Sequence, residues 1–505
     1  MSRLTAGVQP GPSIREAPAG QARPKRGGGA ATIGAALTLL FPLSPPAPPR
    51  SRSRAAAIAA GYTLATALGA WVLVERQAGH RPWNTIWAED GGVFYPGALL
   101  HPVASLLQPY AGYLQLVPRL IASAVALLPL RAAAAGFAMA GALVASACAV
   151  FVCQASAGHI RTPALRWLLA AGVILLPSAL TELSDNGVNT PWYLLFALFW
   201  ALLWRPRSGR GAALAAVVAF AAASSNALAI VFTPLVVARA IALPRAREQA
   251  ASFGWAAGGG LQLIAVLRSV APHQAGHLSV GLGFYLHSVL VTAVAGRHFA
   301  SMLGAQAGPV AGALIPAAVA IAVAGWALVT GGPRIRLFTA TALGLGLVLV
   351  LVAAAARGWG DPGLDRTSVR GDRYAATPIL LIYSLTAVAV DGYLRPVADR
   401  GLRIRQGLAL ASLAFLLGAV WAADFSYVST RSANPPWSQL VTGFRQRCLQ
   451  QPSPAAWQRL PPMHWIRMPP LLPCSLVTPA ERVADSAGKH GDRRDTRPGP
   501  AARRS

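Results

Sequence analysis

Charge is what this chain has least of. Acidic and basic residues make up only 12% of its 505 positions, Asp and Glu number 17, and lysine occurs just at Lys25 and Lys489. A chain of this length with a water-covered surface carries roughly a quarter charged residues, so the surplus apolar area must face lipid. The net charge of +27 is thus a matter of arginine, and the arginines lie in the tails and in short loops between apolar runs. Cytoplasmic loops of membrane proteins carry such a distribution, and no nucleic-acid partner is expected. Only four cysteines are present, too few for a disulfide-built scaffold. No Walker loop and no Gly-x-Ser-x-Gly elbow occurs, so ATP-driven transport by this chain alone is not expected. A cleavable signal peptide is missing as well. Ala30–Leu43 is apolar but short, and Pro42, Pro45, Pro46, Pro48 and Pro49 break it.

Long apolar runs are what the chain has in abundance. Hydrophobic residues make up 54% and the mean hydropathy is +0.47. Ala55–Val74, Ala133–Cys153 and Leu337–Ala356 have the length of a helix crossing ~30 Å of hydrocarbon. They are apolar on every face, which excludes the alternation of barrel strands. The fold class is an all-α, polytopic membrane helix bundle. Arg50, Arg52 and Arg54 precede the first run, which sends it from inside to outside. Gly112–Leu130 carries Pro118, Arg119 and Pro129 and reads as a helix lying in the interface. Further spans are predicted near 133–154, 165–180, 191–204, 211–223, 227–238, 252–270, 308–329, 337–356, 376–391 and 406–423, about eleven in all within a range of nine to thirteen. Gly211–Ala238 is read as two short helices broken at Ser224-Ser225-Asn226, and Phe284–Ala295 as a second interfacial or re-entrant helix.

The domain plan follows. Residues 1–54 form a disordered basic cytoplasmic tail, 55–423 the membrane bundle, 424–480 a small extracytoplasmic cap and 481–505 a disordered tail. The N-terminus is then cytoplasmic and the C-terminus outside, in a bacterial inner membrane. Of the 12 carboxylates from Glu75 to Asp424, nine fall in or beside outer loops, which points to a polar outer cavity.

The first outer loop places Glu89-Asp90 between Trp87 and Gly91-Gly92. Such a pair can bind a divalent cation, act as a general base, or simply cap a helix. The second, Thr181–Trp192, holds Glu182, Asp185, Asn186, Asn189 and Trp192, either a carbohydrate-binding set or a solvated turn. A late loop holds Asp361, Asp365, Arg366, Arg370 and Arg373. Arginines there suit a phosphate through bidentate contacts, or pair with the neighbouring acids. His273, His277, His287 and His298 match no metal-ligand spacing. Cys448 and Cys474 lie in the tail this topology places outside, where a disulfide is expected.

Glu89-Asp90-Gly91 followed by Pro109-Tyr110-Ala111-Gly112-Tyr113 and an interfacial helix resembles the GT-C membrane glycosyltransferases. Ser224-Ser225-Asn226 and Arg373-Tyr374 with Pro378 resemble further elements of that family, although no lysine stands at the break. Trp87-Ala88-Glu89-Asp90-Gly91 with the Tyr110–Arg119 run is also similar to a group of bacterial membrane proteins of unassigned substrate. The resemblance implies a polyprenyl-phosphate sugar as donor and an envelope glycan, lipid or protein as acceptor. It implies Asp90 with Glu89 as the base, Arg119 and Arg373 on phosphate, and Tyr113, Asn186, Asn189, Trp192 and Tyr374 on substrate. A divalent cation at Glu89 and Asp90 is compatible with it. A transporter or flippase of a lipid-linked solute, a polysaccharide polymerase or ligase, and a non-catalytic envelope-assembly protein are the alternatives.

Overall fold

A computed structural model of the chain describes residues 52–179, 182–243, 245–269, 277–356, 372–394, 400–428, 430–433, 435–450, 457–459 and 471–476. The tails at 1–51 and 477–505, His273, and the late-loop residues Asp361, Asp365, Arg366 and Arg370 lie outside the described residues. The described residues form a helical membrane protein.

α1 (Arg52–Glu75) leads through a short strand β1 (Gln77–Ala78) into the first loop, which carries α2 (Tyr95–Leu100) and α3 (Leu116–Val125). Then come α4 (Ala133–Ala155), α5 (Pro163–Ile174), α6 (Thr190–Leu203), α7 (Gly209–Ala223), α8 (Thr233–Ala242) and α9 (Ala250–Leu267). The second half holds α10 (Leu278–Ala295), α11 (His298–Ala307), α12 (Pro309–Thr330), α13 (Pro333–Ala356), α14 (Asp372–Tyr393) and α15 (Arg400–Ala423). Several of these helices open on proline in the first turn (Pro163, Pro191, Pro234 and Pro309), where the missing N–H is no loss.

Eight of the described helices are long and apolar enough to cross a membrane: α1, α4, α9, α10, α12, α13, α14 and α15. They differ in what they cover. α1 and α15 leave Leu64, Leu68, Trp71, Leu408, Phe415 and Leu416 exposed, as a lipid-facing surface allows, whereas every residue of α6 is buried. Close approach uses glycine. A Cβ on Gly254 of α9 would meet the Ala216 carbonyl of α7 at 2.1 Å, and one on Gly258 the Phe220 carbonyl at 2.6 Å.

Polar contacts sort the helix ends onto two faces. On one, Arg76 donates to the carbonyls of Asp424 and Phe425, Leu116 N–H to that of Ser224, and Ser269 Oγ to that of Gly112. On the other, Asp391 holds Arg161 and Thr162, Arg205 pairs with Glu248, and Arg239 reaches the carbonyls of Leu202 and Trp204. The helix break expected at Ser224–Asn226 is present, between α7 and a 3-10 turn at Ala227–Phe232.

α10 is longer than the expected Phe284–Ala295, and both its ends meet the first face. Near its start Gly281 lies against Leu351 and Ala354 at the end of α13. Beyond its end, Arg297 and His298 donate backbone N–H to the Asp424 carboxylate at 2.7 and 3.0 Å. α3 behaves likewise. Its start meets Ser224, and Val125 with Leu128 packs against Gly136 at the start of α4.

The C-terminal segment sits on this same face, which we call the cap face. Strand β2 (Tyr427–Val428) runs parallel to β1, followed by α16 (Trp437–Gln450) and the antiparallel pair β3 (Trp457–Arg459) and β4 (Leu471–Pro473). Cys448 and Cys474 are joined, closing a separation of 26 residues. Trp437 donates its indole N–H to the Leu130 carbonyl at 2.9 Å, and Phe444 and Leu440 pack in one cluster with Trp87, Phe94 and Ile121. Replacing both cysteines by serine should weaken the cap by about 3 kcal/mol. Faster hydrogen exchange over Trp437–Gln450 with α4 unchanged is the expected result. Equal protection in both proteins would show that the cap holds without its disulfide.

Candidate functional site on the cap face

The first loop turns sharply before it enters α3. Ala111 and Gly112 take positive φ values of 52° and 89°, and Tyr110 and Tyr113 exchange backbone hydrogen bonds across the turn. Only glycine visits that region without cost, so Ala111 is a strained position. The turn sets the Tyr110 ring edge-on to Phe94 at 5.5 Å, and the Phe94 ring carries the Arg119 guanidinium at 5.1 Å.

The acidic pair is divided. Asp90 is fully buried, and its two oxygens accept the backbone N–H groups of Gly187 (2.8 Å) and Val188 (2.9 Å). Gly187 leaves room for that approach, since a Cβ there would stand 3.0 Å from Asp90 Oδ1 and 3.2 Å from Phe137. Asp90 therefore ties the first loop to the second. Glu89 is only half-buried, and its Oε2 has no hydrogen-bond partner among the described residues.

The second loop lies on α4, where a Cβ on Gly141 would strike the Asn186 backbone at 2.4 Å. Its amides are used internally. Asn186 Nδ2 donates to the Glu182 and Ser184 carbonyls (2.6 and 2.9 Å), its Oδ1 accepts from Asn189 N–H, and Asn189 Nδ2 donates to the Glu182 carbonyl (2.6 Å). Both residues are almost wholly buried. The resemblance implies that they meet a sugar; in the structure Asn186 and Asn189 Nδ2 are engaged with the loop's own backbone. Trp192 is buried too, edge-on to Tyr374 at 4.9 Å with its carbonyl accepting from Thr377, so it offers no open stacking face.

What remains turned toward the opening is a mixed-charge cluster. Arg373 sits 3.6 Å from Glu182 and 5.4 Å over the Tyr374 ring, and the charges acting on it include those of Glu182 and Glu89, with Tyr113 nearby. Arg119 is 2% exposed with its Nε unpaired. Buried polar atoms are normally paired. Here Trp87 Nε1, Glu89 Oε2, Tyr95 Oη and Arg119 Nε all lack a hydrogen-bond partner among the described residues, and all come from the stretch 87–119. Among the described residues no three His, Cys, Asp or Glu come together as a metal site.

Three participants were not singled out from sequence. Glu182 belongs to a loop whose sequence suits a carbohydrate-binding set or a solvated turn and gives no sign of its pairing with Arg373, while Gln77 and Arg431 lie far from any motif. Arg431, in the C-terminal segment, donates to Gln77 Oε1 (2.6 Å) and to the Asp185 carbonyl (2.7 Å), and pairs with Asp185 Oδ2 at 3.4 Å. No local pattern announces a contact across such a separation.

Burial pushes the Asp90 carboxyl up to about 7 against the pull of its two amides, and burial does the same to Asp185 against Arg431 and Arg76. Both folded values stand above the ordinary carboxylate value of about 3.9. The stability they contribute is complete below that value and is lost as the pH climbs through about 7. The melting temperature in detergent should accordingly fall between about pH 4 and about pH 7 and level off above, and a rise over that window would contradict the burial argument. Asp90→Ala should also cost stability, about 1–3 kcal/mol for each orphaned amide, while Glu89→Ala leaves the melting temperature in place. Equal losses would mean that Glu89 is a structural partner as well. Comparison of the chain with protein-family models, with curated proteins and with solved structures finds no match, so its function must be argued from this geometry.

Proposed function

We propose that the chain is a membrane glycosyltransferase that moves a sugar from a polyprenyl-phosphate donor to a cell-envelope acceptor at the outer face of a bacterial inner membrane. The observation that carries the reading is Arg373 paired with Glu182 and within the field of Glu89, one residue from Asp372, whose partner Arg297 stands between two wall residues of an apolar cavity. That cavity, about 480 Å³, is lined by Leu169, Phe299, Pro316, Ala320, Tyr383 and Trp421 among others, from α5, α11, α12, α14 and α15. Ala295 and Phe299 of its wall flank Arg297, which pairs with Asp372, the residue before Arg373. A hydrocarbon chain fits the wall, and a phosphate suits Arg373 beyond the Arg297–Asp372 pair.

In this reading eleven helices cross the bilayer, with α3, α10 and α11 at the cap face. The disulfide fits an extracytoplasmic cap. Arg161, Arg205, Arg239 and Arg334 fit a cytoplasmic opposite face. A transporter calls for ionisable groups between the faces. The described carboxylates all stand at one face or the other.

The chemistry assigned to the cluster is an inverting displacement. The acceptor oxygen attacks the anomeric carbon, the bond from that carbon to the phosphate oxygen breaks, and the polyprenyl phosphate departs. Glu89 takes the acceptor proton, because its Oε2 has no hydrogen-bond partner among the described residues while Asp90 is engaged through both oxygens. Arg373 and Arg119 face the charge growing on the leaving phosphate. Asp90 serves by holding the two loops together.

Purified protein supplied with a polyprenyl-phosphate sugar and membrane acceptor should transfer radiolabelled sugar. Glu89→Gln should lower the rate about 10²–10⁴-fold, with the fold intact by melting temperature. Undiminished transfer in Glu89→Gln would remove the base from this scheme, and the absence of transfer by the wild-type protein across donor sugars would remove the function.

A further inference from the structure

The second loop, 182–190, is gripped by an element that comes from the far end of the chain. From one side Asp90 takes the Gly187 and Val188 amides, and beneath it Gly141 admits the Asn186 backbone. From the other side Arg431 binds Asp185 through both its carbonyl and its carboxylate, and anchors to Gln77 beyond the end of α1. The Asp185–Arg431 side chains are 0% and 2% exposed. Placing two charges in so dry a site costs several kcal/mol per ion, so such a pair adds little net stability and is best understood as fixing one arrangement. The backbone agrees. Asp185 is held at a φ of 57°, a region a non-glycine residue leaves unless its surroundings hold it there.

That arrangement reaches the candidate site directly. Asn186 and Asn189, on either side of the Asp90-bound amides, both donate to the Glu182 carbonyl, and Glu182 in turn pairs with Arg373. A shift at Asp185 therefore passes along the loop to the carboxylate that orients Arg373. Arg431 itself is carried between β2 and α16, so its position depends on the docking of the cap.

We infer that Arg431 is a positioning residue: the docked C-terminal cap sets the second loop through Arg431, and Arg373 is correctly placed only when the cap is seated. The inference rests on the reading of Arg373 as substrate-binding only where binding is measured. The ordering of the loop is a separate observable.

The test uses the full chain in lipid nanodiscs, comparing wild type, Arg431→Gln, Asp185→Asn and the exposed cap control Arg445→Gln. Asn is tolerated at positive φ, so Asp185→Asn removes the charge pair without adding strain and serves if Arg431→Gln fails to fold. Hydrogen exchange at the Gly187, Val188 and Asn189 amides should rise about 100-fold in Arg431→Gln. In Asp185→Asn it should rise about tenfold, with α4 and α14 unchanged in both. Binding of polyprenyl phosphate should weaken in the same two variants, and in any transfer assay KM should rise more than kcat falls. Arg445→Gln should match wild type throughout. Loop exchange equal to wild type in both variants overturns the inference, as does a uniform rise across the whole bundle, which is the mark of a purely structural residue. Loop exchange that rises while wild type shows no transfer leaves the clamp standing and removes the glycosyltransferase reading instead.

Discussion

A carboxylate removed from water must find donors, and Asp90 finds them in two consecutive backbone amides of another loop. The arrangement of the cap face depends on that contact. It requires glycine at 187, because the carboxylate comes too close for a side chain, and it requires the second loop to lie flat on α4, which Gly141 permits. Asp90 cannot then also turn outward. The division of labour inside the acidic pair is thus a consequence of placement: Asp90 is buried with both oxygens engaged by the second loop, and Glu89 keeps an oxygen with no hydrogen-bond partner among the described residues.

The same accounting explains where the polar groups are. A chain with so few charges in an apolar bundle keeps nearly all of them at helix ends, where they satisfy loop backbone or each other. Arg76 and Arg239 are wholly buried, yet each is surrounded by carbonyl oxygens, which take up its N–H donors without needing a full counter-charge, whereas Arg431 combines one such carbonyl with the Asp185 carboxylate. Arg119 is the contrast. Its guanidinium lies over the Phe94 ring, and its Nε has no hydrogen-bond partner among the described residues. A donor left in that state suits an anion.

Much of the architecture was legible from sequence because membrane helices obey simple rules. Runs apolar on every face could only be helices, and the prolines that open α5, α6, α8 and α12 stand where a helix can begin. The cysteine pair was legible for a similar reason, since only two cysteines fall outside the apolar runs. The interior of the site was not. Asn186 and Asn189 carry the chemistry of a sugar-binding pair, and nothing in their spacing tells that the Glu182 carbonyl already holds both. Arg431 was invisible for the opposite reason: it meets its partners Gln77 and Asp185 only after helices α6 to α15, which separate it even from the nearer of the two, have folded.

The adjacency of Asp372 and Arg373 ties the two halves of the site together. Successive residues at the start of a helix point in directions about 100° apart, so one turn of α14 serves two neighbours. Asp372 reaches Arg297 beside the apolar cavity, while Arg373 reaches Glu182 in the loop cluster. Neither ion pair extends far, yet both hang on the same stretch of backbone, so movement of α11 and α10 at the cavity wall is transmitted to the cluster through a single helix end. A molecule with an apolar chain and a charged head would touch both sides of that turn at once. The amphipathic donor proposed above would use the cavity and the cluster together.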